Sequence, residues 1–469
     1  MSNQSTATKG NGIAIIAMFF LFAMISFVTN LAAPIGTIWG NTYEGNSVLG
    51  MMGNMMNFLA YLFMGIPAGK MLQRIGYKKT ALWAMAVGIV GLFIQYLSSV
   101  VGADTTVFTS SAVVEENGVE VARTFNVCLN FIVYLLGAFV CGFCVCMLNT
   151  VVNPMLNLLG GGGNKGNQLI QTGGALNSLS GTLTPFFVGA LIGQLTRETT
   201  IQAVTPLLFV AMGVFAVAFL VISCVAIPEP HKGHSADKGV AKADKYSPWS
   251  FRHTVLGVIG VFFYVGIEIG IPGTLNFYLA DTGAAGAGLV KDASAIAGAI
   301  VAIYWLLMLV GRLCSSAISG KVSAATQLKT TAAVGIALIA VAIFLPKTVT
   351  ITLPEVVYEG GAQVPVSALL LILCGLCTSV MWGSIFNLAV EGLGKYTAQA
   401  SGIFMMMVVG GGVMPLIQQG LAQAIGYMGS YWLVIAMLAY LLYYGAIGSK
   451  NVNGNIPVNE DDEADPRNL

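Results

Sequence analysis

Charge is what this 469-residue chain has least of: Asp, Glu, Lys and Arg make up 9% of it, against 56% hydrophobic residues. Soluble domains carry about 25% charged residues, so an ordinary water-soluble globule is excluded. The net charge is +1, which leaves no basic field to attract nucleic acid. Histidine is scarcer still: His231, His234 and His253 are the whole set, all in or beside one polar stretch. A buried hydrolytic or metal centre therefore lacks its usual ligands, and the chain is read as a non-enzyme with no metal and no cofactor. The eight cysteines all fall in apolar segments, as small buried residues and not as a disulfide framework. CGFC at 141–144 and CGLC at 374–377 have a metal-like spacing, but no His or carboxylate lies close by in sequence. A cleavable leader is not expected, because residues 1–11 are polar and the first apolar run has no small-residue cleavage site. Rings of like charge and a repeated filter motif are missing too, which argues against a channel.

What is present is one apolar run after another. Segments of spanning length fall near 12–35, 48–70, 79–100, 126–150, 168–193, 203–227, 253–280, 293–318, 327–346, 365–391, 397–422 and 428–448. They predict an all-α polytopic membrane protein with twelve transmembrane helices. The polar stretch PEPHKGHSADKGVAKADKYSPWSFR divides six from six. The expected organisation is a six-helix bundle over 1–227, a cytoplasmic linker over 228–252, a second bundle over 253–448 and a disordered acidic tail over 449–469. With the N-terminus inside, only Arg123, Arg197, Lys291 and Lys347 fall in outer loops, and the other 17 of the 21 Lys and Arg face inward. The positive-inside rule then places both termini in the cytoplasm and the chain in the plasma (inner) membrane.

The polar residues that interrupt the apolar runs carry the functional signal. Asn149, Asn153 and Asn157 recur at fourfold spacing, which sets three amides on one helix face. Pro154 cannot donate to the carbonyl of Thr150, so an acceptor is freed beside them. In hydrocarbon an unpaired polar group costs several kcal/mol, so this face should look into a wet cavity or onto another helix. CGFC and CGLC lie 233 residues apart, and Pro185 and Pro415 lie 230 apart, which points to parallel repeats related by a pseudo-twofold axis along the membrane normal. Glu268, in GIEIGIPG, is the carboxylate placed well inside the bilayer, where a charge costs about 2.5–3.5 kcal/mol even on the lenient insertion scale. Pro272 releases the carbonyl of Glu268 itself. Helix–helix glue accounts for such residues as readily, one at a time, as a binding site does. Trp382 lies in mid-segment beside Ser384 and Asn387, a setting that favours stacking on a sugar ring. Lys70, Arg74, Lys78 and Lys79 follow the close-approach spacing Gly65–Gly69, and Arg312 holds the corresponding place in the second half.

Several stretches together resemble the major facilitator superfamily and, within it, the fucose/glucose–galactose porters. They are FFLFAMISFVTN (19–30), YLFMGIPAGKMLQRIGYKK (61–79), LNTVVNPMLNLLG (148–160), ALNS (175–178), FFYVGIEIG (262–270), SVMWGSIFNLAVEGLGKYT (379–397) and GGGVMPLIQQGLA (410–422). The resemblance implies import of a neutral hexose such as glucose, galactose, fucose or an N-acetylhexosamine by alternating access, with H+ or Na+ as the coupling ion. Asn30 and Asn149 stand where the fucose–proton type has carboxylates. An amide still bonds a hydroxyl but cannot load a proton near neutral pH, so an uncoupled facilitator stays open beside the symporter. An exporter of another small polar metabolite stays open as well. The expected sugar ligands are Asn30, Asn149, Asn153, Gln171 and Asn177 from the first half, with Glu268, Asn276, Trp382 and Asn387 from the second. Glu268 is the ion-coupling candidate, and Arg74 and Arg312 are expected to latch the cytoplasmic face. A monomer in the lipid bilayer, with sugar as its small-molecule partner, completes the expectation.

Overall fold

The computed structural model describes residues 5–31, 35–36, 38–39, 42–43, 47–116, 119–192, 199–229, 246–281, 285–289, 293–355, 357 and 361–458. Most of the expected linker (230–245) and the acidic run 460–465 lie outside the described residues. Helices dominate, since an apolar run in lipid must satisfy its own backbone groups. They are α1 (Ser5–Asn30), α2 (Ser47–Leu97), α3 (Leu129–Leu159), α4 (Gly163–Ile192), α5 (Thr205–Cys224), α6 (Arg252–Ala280) and α7 (Ala293–Ile318). In order there follow α8 (Ala324–Phe344), α9 (Val366–Ser379), α10 (Met381–Val390), α11 (Thr397–Met406), α12 (Gly410–Ile425) and α13 (Tyr427–Tyr443).

Among the described residues, ten stretches are long and apolar enough to cross a membrane. One of them, Met52–Leu97, has 46 residues and covers most of two expected segments, 48–70 and 79–100. It is interrupted at Gly76, whose φ of 85° and ψ of 175° are not helical. A side chain at Gly76 would collide with the carboxylate of Glu229. That carboxylate accepts from the backbone N–H groups of Tyr77 (2.6 Å) and Lys78 (2.9 Å), capping the restarted helix. Lys78 Nζ returns the favour to the end of α5, donating to the carbonyls of Ser223 (2.7 Å) and Val225 (2.8 Å). The expected segment 168–193 falls in the helix α4.

Two small sheets depart from an all-α chain. Strands β1 (Thr106–Glu116) and β2 (Val119–Cys128) pair antiparallel from Thr106↔Cys128 to Glu116↔Val119. Strands β3 (Thr350–Thr352) and β4 (Gln363–Pro365) pair likewise. These ribbons fill the connections before α3 and before α9. The expected segment 365–391 is also divided, into α9 and α10, with Val380 at φ −91° and ψ −14° between them.

The chain forms two compact units, one of residues 1–152 with 179–237, the other of 153–178 with 238–469. In the first, Trp39 lies 5.4 Å from Tyr134 and 5.0 Å from Phe131, ring centre to ring centre. In the second, α6 is the central rod, packed by α7, α10, α12 and α13. Residues 153–178, which belong to the first half of the sequence, are part of this second unit.

Candidate functional site

The second unit gathers most of the expected site. On α6, Pro272 withholds its N–H from Glu268, and the freed carbonyl is taken up by the Tyr304 hydroxyl at 3.4 Å. Tyr304 shares its hydroxyl with Thr378 Oγ1 at 3.0 Å. The Glu268 carboxylate meets Arg312 of α7: Nη2 donates to Oε1 at 3.1 Å, with side-chain exposures of 16% and 12%. The other arm of the same guanidinium donates to the Gly174 carbonyl (3.1 Å) and to Ser178 Oγ (2.6 Å) on α4. Arg312 thus ties a carboxylate on one helix to the backbone of another, using the fork that only Arg offers.

Around this ion pair lies a set of neutral bonds. Trp382 Nε1 donates to Asn153 Oδ1 at 3.0 Å. Asn157 Nδ2 donates to Asn387 Oδ1 at 2.5 Å. Gln171 Nε2 donates to the carbonyl of Val380 at 2.8 Å, the acceptor exposed by the break between α9 and α10. Gly383 has no Cβ, and one built there would come within 2.8 Å of that amide nitrogen. Thr172 and Ser316 share a hydroxyl bond of 2.5 Å, and Asn167 donates to Ser319 Oγ at 3.2 Å. Asn153, Gln171 and Asn387 are all buried, so these bonds replace hydration that the amides have lost. The indole of Trp382 packs 6.0 Å from Tyr264.

The remaining expected residues are distributed elsewhere. Asn177 lies on α4 and Asn276 on α6, both half-buried in the second unit. Asn30 and Asn149 belong to the first unit. Asn30 bonds back to its own helix, donating to the carbonyl of Ser26 at 2.8 Å, with Gly181 leaving room for its amide. Asn149 donates to the Tyr61 hydroxyl at 2.9 Å. Arg74, expected to act with Arg312, is exposed on α2 in the first unit. The partners absent from the expected set are Asn157, Ser178, Tyr61 and Tyr304, together with the carbonyls of Gly174 and Val380. Asn157 was signalled by its fourfold spacing, whereas no side-chain pattern announces a main-chain acceptor.

Chemically, the second-unit cluster offers amides, hydroxyls, an indole and one ion pair that is already neutral as a unit. Such a set suits an uncharged, hydroxyl-rich ligand better than a charged one.

The sequence model described as Major Facilitator Superfamily matches residues 15–415. A glucose/galactose transporter of Brucella abortus is 29% identical over 454 residues, covering 96% of this chain and 98% of that one. An L-fucose-proton symporter of Escherichia coli is 22% identical over 409 residues, covering 82% and 81%. The crystal structure of the E. coli fucose:proton symporter superposes with a TM-score of 0.71 at 16% identity, over 93% of this chain and all of that one.

Proposed function

The chain belongs to the Major Facilitator Superfamily, and from that premise we propose that it imports a neutral monosaccharide by alternating access, driven by a cation gradient. The hexose class follows the relatives, whose names are those of sugar carriers. The observation that carries the reading is the pairing of Asn153 with Trp382 and of Asn157 with Asn387. Each bond joins two neutral polar groups, and a sugar hydroxyl, both donor and acceptor, can replace it one for one. Asn177 on α4 and Asn276 on α6, half-buried in the same unit, are assigned the remaining hydroxyls. Asn30 and Asn149 are assigned the first unit's share of the sugar. The twelve-span arrangement in two six-helix bundles, with both termini cytoplasmic in the inner membrane and a monomer as the working unit, belongs to the same proposal.

The ion pair bears on the coupling candidate. Arg312 bonds the Glu268 carboxylate, so we assign Glu268 the counter-charge that keeps Arg312 on α4 alongside its part as ion-coupling candidate. Together with Arg74, Arg312 is assigned to the cytoplasmic latch. The uncoupled facilitator is the second reading, favoured by the amides Asn30 and Asn149 where a proton-loading acid would otherwise stand.

Proteoliposomes given a panel of labelled hexoses, with and without imposed proton and sodium gradients, test this directly. Uphill accumulation of one or a few neutral hexoses is the expected result, lowered at least tenfold by Asn153→Leu. Equilibration without accumulation would give the function to the facilitator. Failure to move any hexose would sink the sugar reading altogether.

A further inference from the structure

The bond between Asn167 and Ser319 is the edge of a larger polar network in the second unit. α7 and α8 are joined by the short turn 319–323, and Gln327, one turn into α8, reaches back across it. Gln327 Nε2 donates to Ser319 Oγ at 2.9 Å and to the carbonyl of Val322 at 3.0 Å. Its Oε1 accepts from Ser315 Oγ at 2.6 Å. Ser315, Ser319 and Gln327 are all buried. Ser315 spends its one hydrogen on Gln327, so in the 3.3 Å contact between the two serines Ser319 is the donor. The three side chains thus close a ring that needs nothing from outside, and one lone pair of Ser319 is left over. Asn167 of α4 takes that lone pair, its Nδ2 donating to Ser319 Oγ at 3.2 Å. The other end of the same amide, Asn167 Oδ1, is buried with no partner among the described residues.

Departure of α4 strands no buried group on α7 or α8, because the ring stays closed without it. Arrival of α4 gives Asn167 one bond but buries an acceptor that water would otherwise hold, which keeps the contact weak. Permanent glue between helices would satisfy both ends of the amide. The same antiparallel ladder runs on along α4 and α7, with Thr172 on Ser316 at 2.5 Å and with Gly174 and Ser178 on Arg312. Asn167 and Ser319 form its last rung, about 16 Å along α4 from Ser178. With the N-terminus inside, the connections before α4 and between α7 and α8 are both inner ones, so this rung falls at the cytoplasmic end. We propose that Gln327 is a positioning residue for transport. Its side-chain bonds among the described residues stay within α7, α8 and their turn. Through Ser315 it holds Ser319 ready for Asn167, and that rung is a cytoplasmic latch released and remade in each cycle. The proposal rests on the carrier reading for the cycle but not for the latch.

The test is sided alkylation of the full chain by a membrane-impermeant maleimide, in inside-out and right-side-out vesicles without sugar, with the chain lacking any reporter as background. Gln168→Cys reports the cytoplasmic end, since the Gln168 side chain lies against Gly320. Asn276→Cys, toward the far end of α6, reports the outer side. Gln327→Met and Ser319→Ala are each expected to raise labelling of Gln168→Cys from the inner face at least threefold. Both are expected to lower labelling of Asn276→Cys from the outer face. Ser315→Ala opens the same ring with a smaller change and decides the matter should Gln327→Met fail to fold. Labelling unchanged at both reporters overturns the proposal and leaves the network to packing. Labelling that rises at both overturns it as well, because the variants would then only loosen the fold. The expected shift in a chain that moves no hexose would keep the latch and lose the sugar reading. Hexose uptake with labelling that no variant alters would do the reverse.

Discussion

Arg312 is the residue on which the second unit's cluster turns, because one guanidinium satisfies a carboxylate, a hydroxyl and a main-chain carbonyl. Lysine would keep the charge but not the fork, so it can hold Glu268 or α4 and not both. Arg312→Lys is therefore expected to fold with a nearly unchanged melting temperature while sugar uptake falls at least tenfold. Arg312→Ala is a different experiment. It strands a buried carboxylate, a loss of about 3–5 kcal/mol, and the thermal midpoint should drop by several degrees. Replacing both partners at once, Arg312→Met with Glu268→Leu, removes the stranded charge and is expected to restore most of the stability. Uptake should stay lost in the double variant, since the tie to Gly174 and Ser178 is gone. If uptake returned with stability, the pair would be only packing.

At the scale of elements, the turn at Gly76 is where sequence and structure part most instructively. Two helices meet there through a backbone conformation with positive φ, and the Glu229 carboxylate sits where a side chain would be. Gly76→Ala should cost about 1–3 kcal/mol in backbone strain alone, read as a lower thermal midpoint, before the collision with Glu229 is counted. Glu229→Gln keeps the shape and weakens the cap by roughly 1 kcal/mol, so its midpoint should fall between those of the parent and Gly76→Ala. The apolar runs were legible because hydropathy and span length are properties of single segments. Glu229 was not, since in sequence it reads as the start of a polar linker and its partners lie 151 and 152 residues earlier. The longer ribbon was legible and passed over: VFTSSAVVEE and VEVARTFNVC flank Asn117-Gly118, the dipeptide favoured in tight hairpins. The amides of the site were found as a face, and Trp382 and Asn387 were named as well, but the main-chain acceptors were not. Gln171 bonds a carbonyl that exists only because α9 and α10 break at Val380.

For the whole molecule, the distances along the chain carry more than the individual bonds. The internal repeats recur at offsets of 233 and 230 residues. Asn157 and its partner Asn387 are 230 residues apart, and Asn153 and Trp382 are 229 apart. Residues one repeat apart can touch only near the axis that exchanges the repeats, so these pairs mark that axis in the proposed two-bundle arrangement. A rocking motion of one bundle against the other must break on-axis contacts on whichever side it opens. On that proposal, the bonds from residues 153–178 to Arg312, Ser316, Val380, Trp382 and Asn387 would be the clasp that is made and broken in each cycle. Asn157→Cys with Asn387→Cys, joined by a short thiol-specific cross-linker, should abolish sugar uptake, and cleaving the linker with reductant should restore it. The single-cysteine variants under the same reagent control for loss of the amides themselves. Uptake that continues with the linker in place would mean that this contact stays closed throughout transport, and the moving seam would have to lie elsewhere in the molecule.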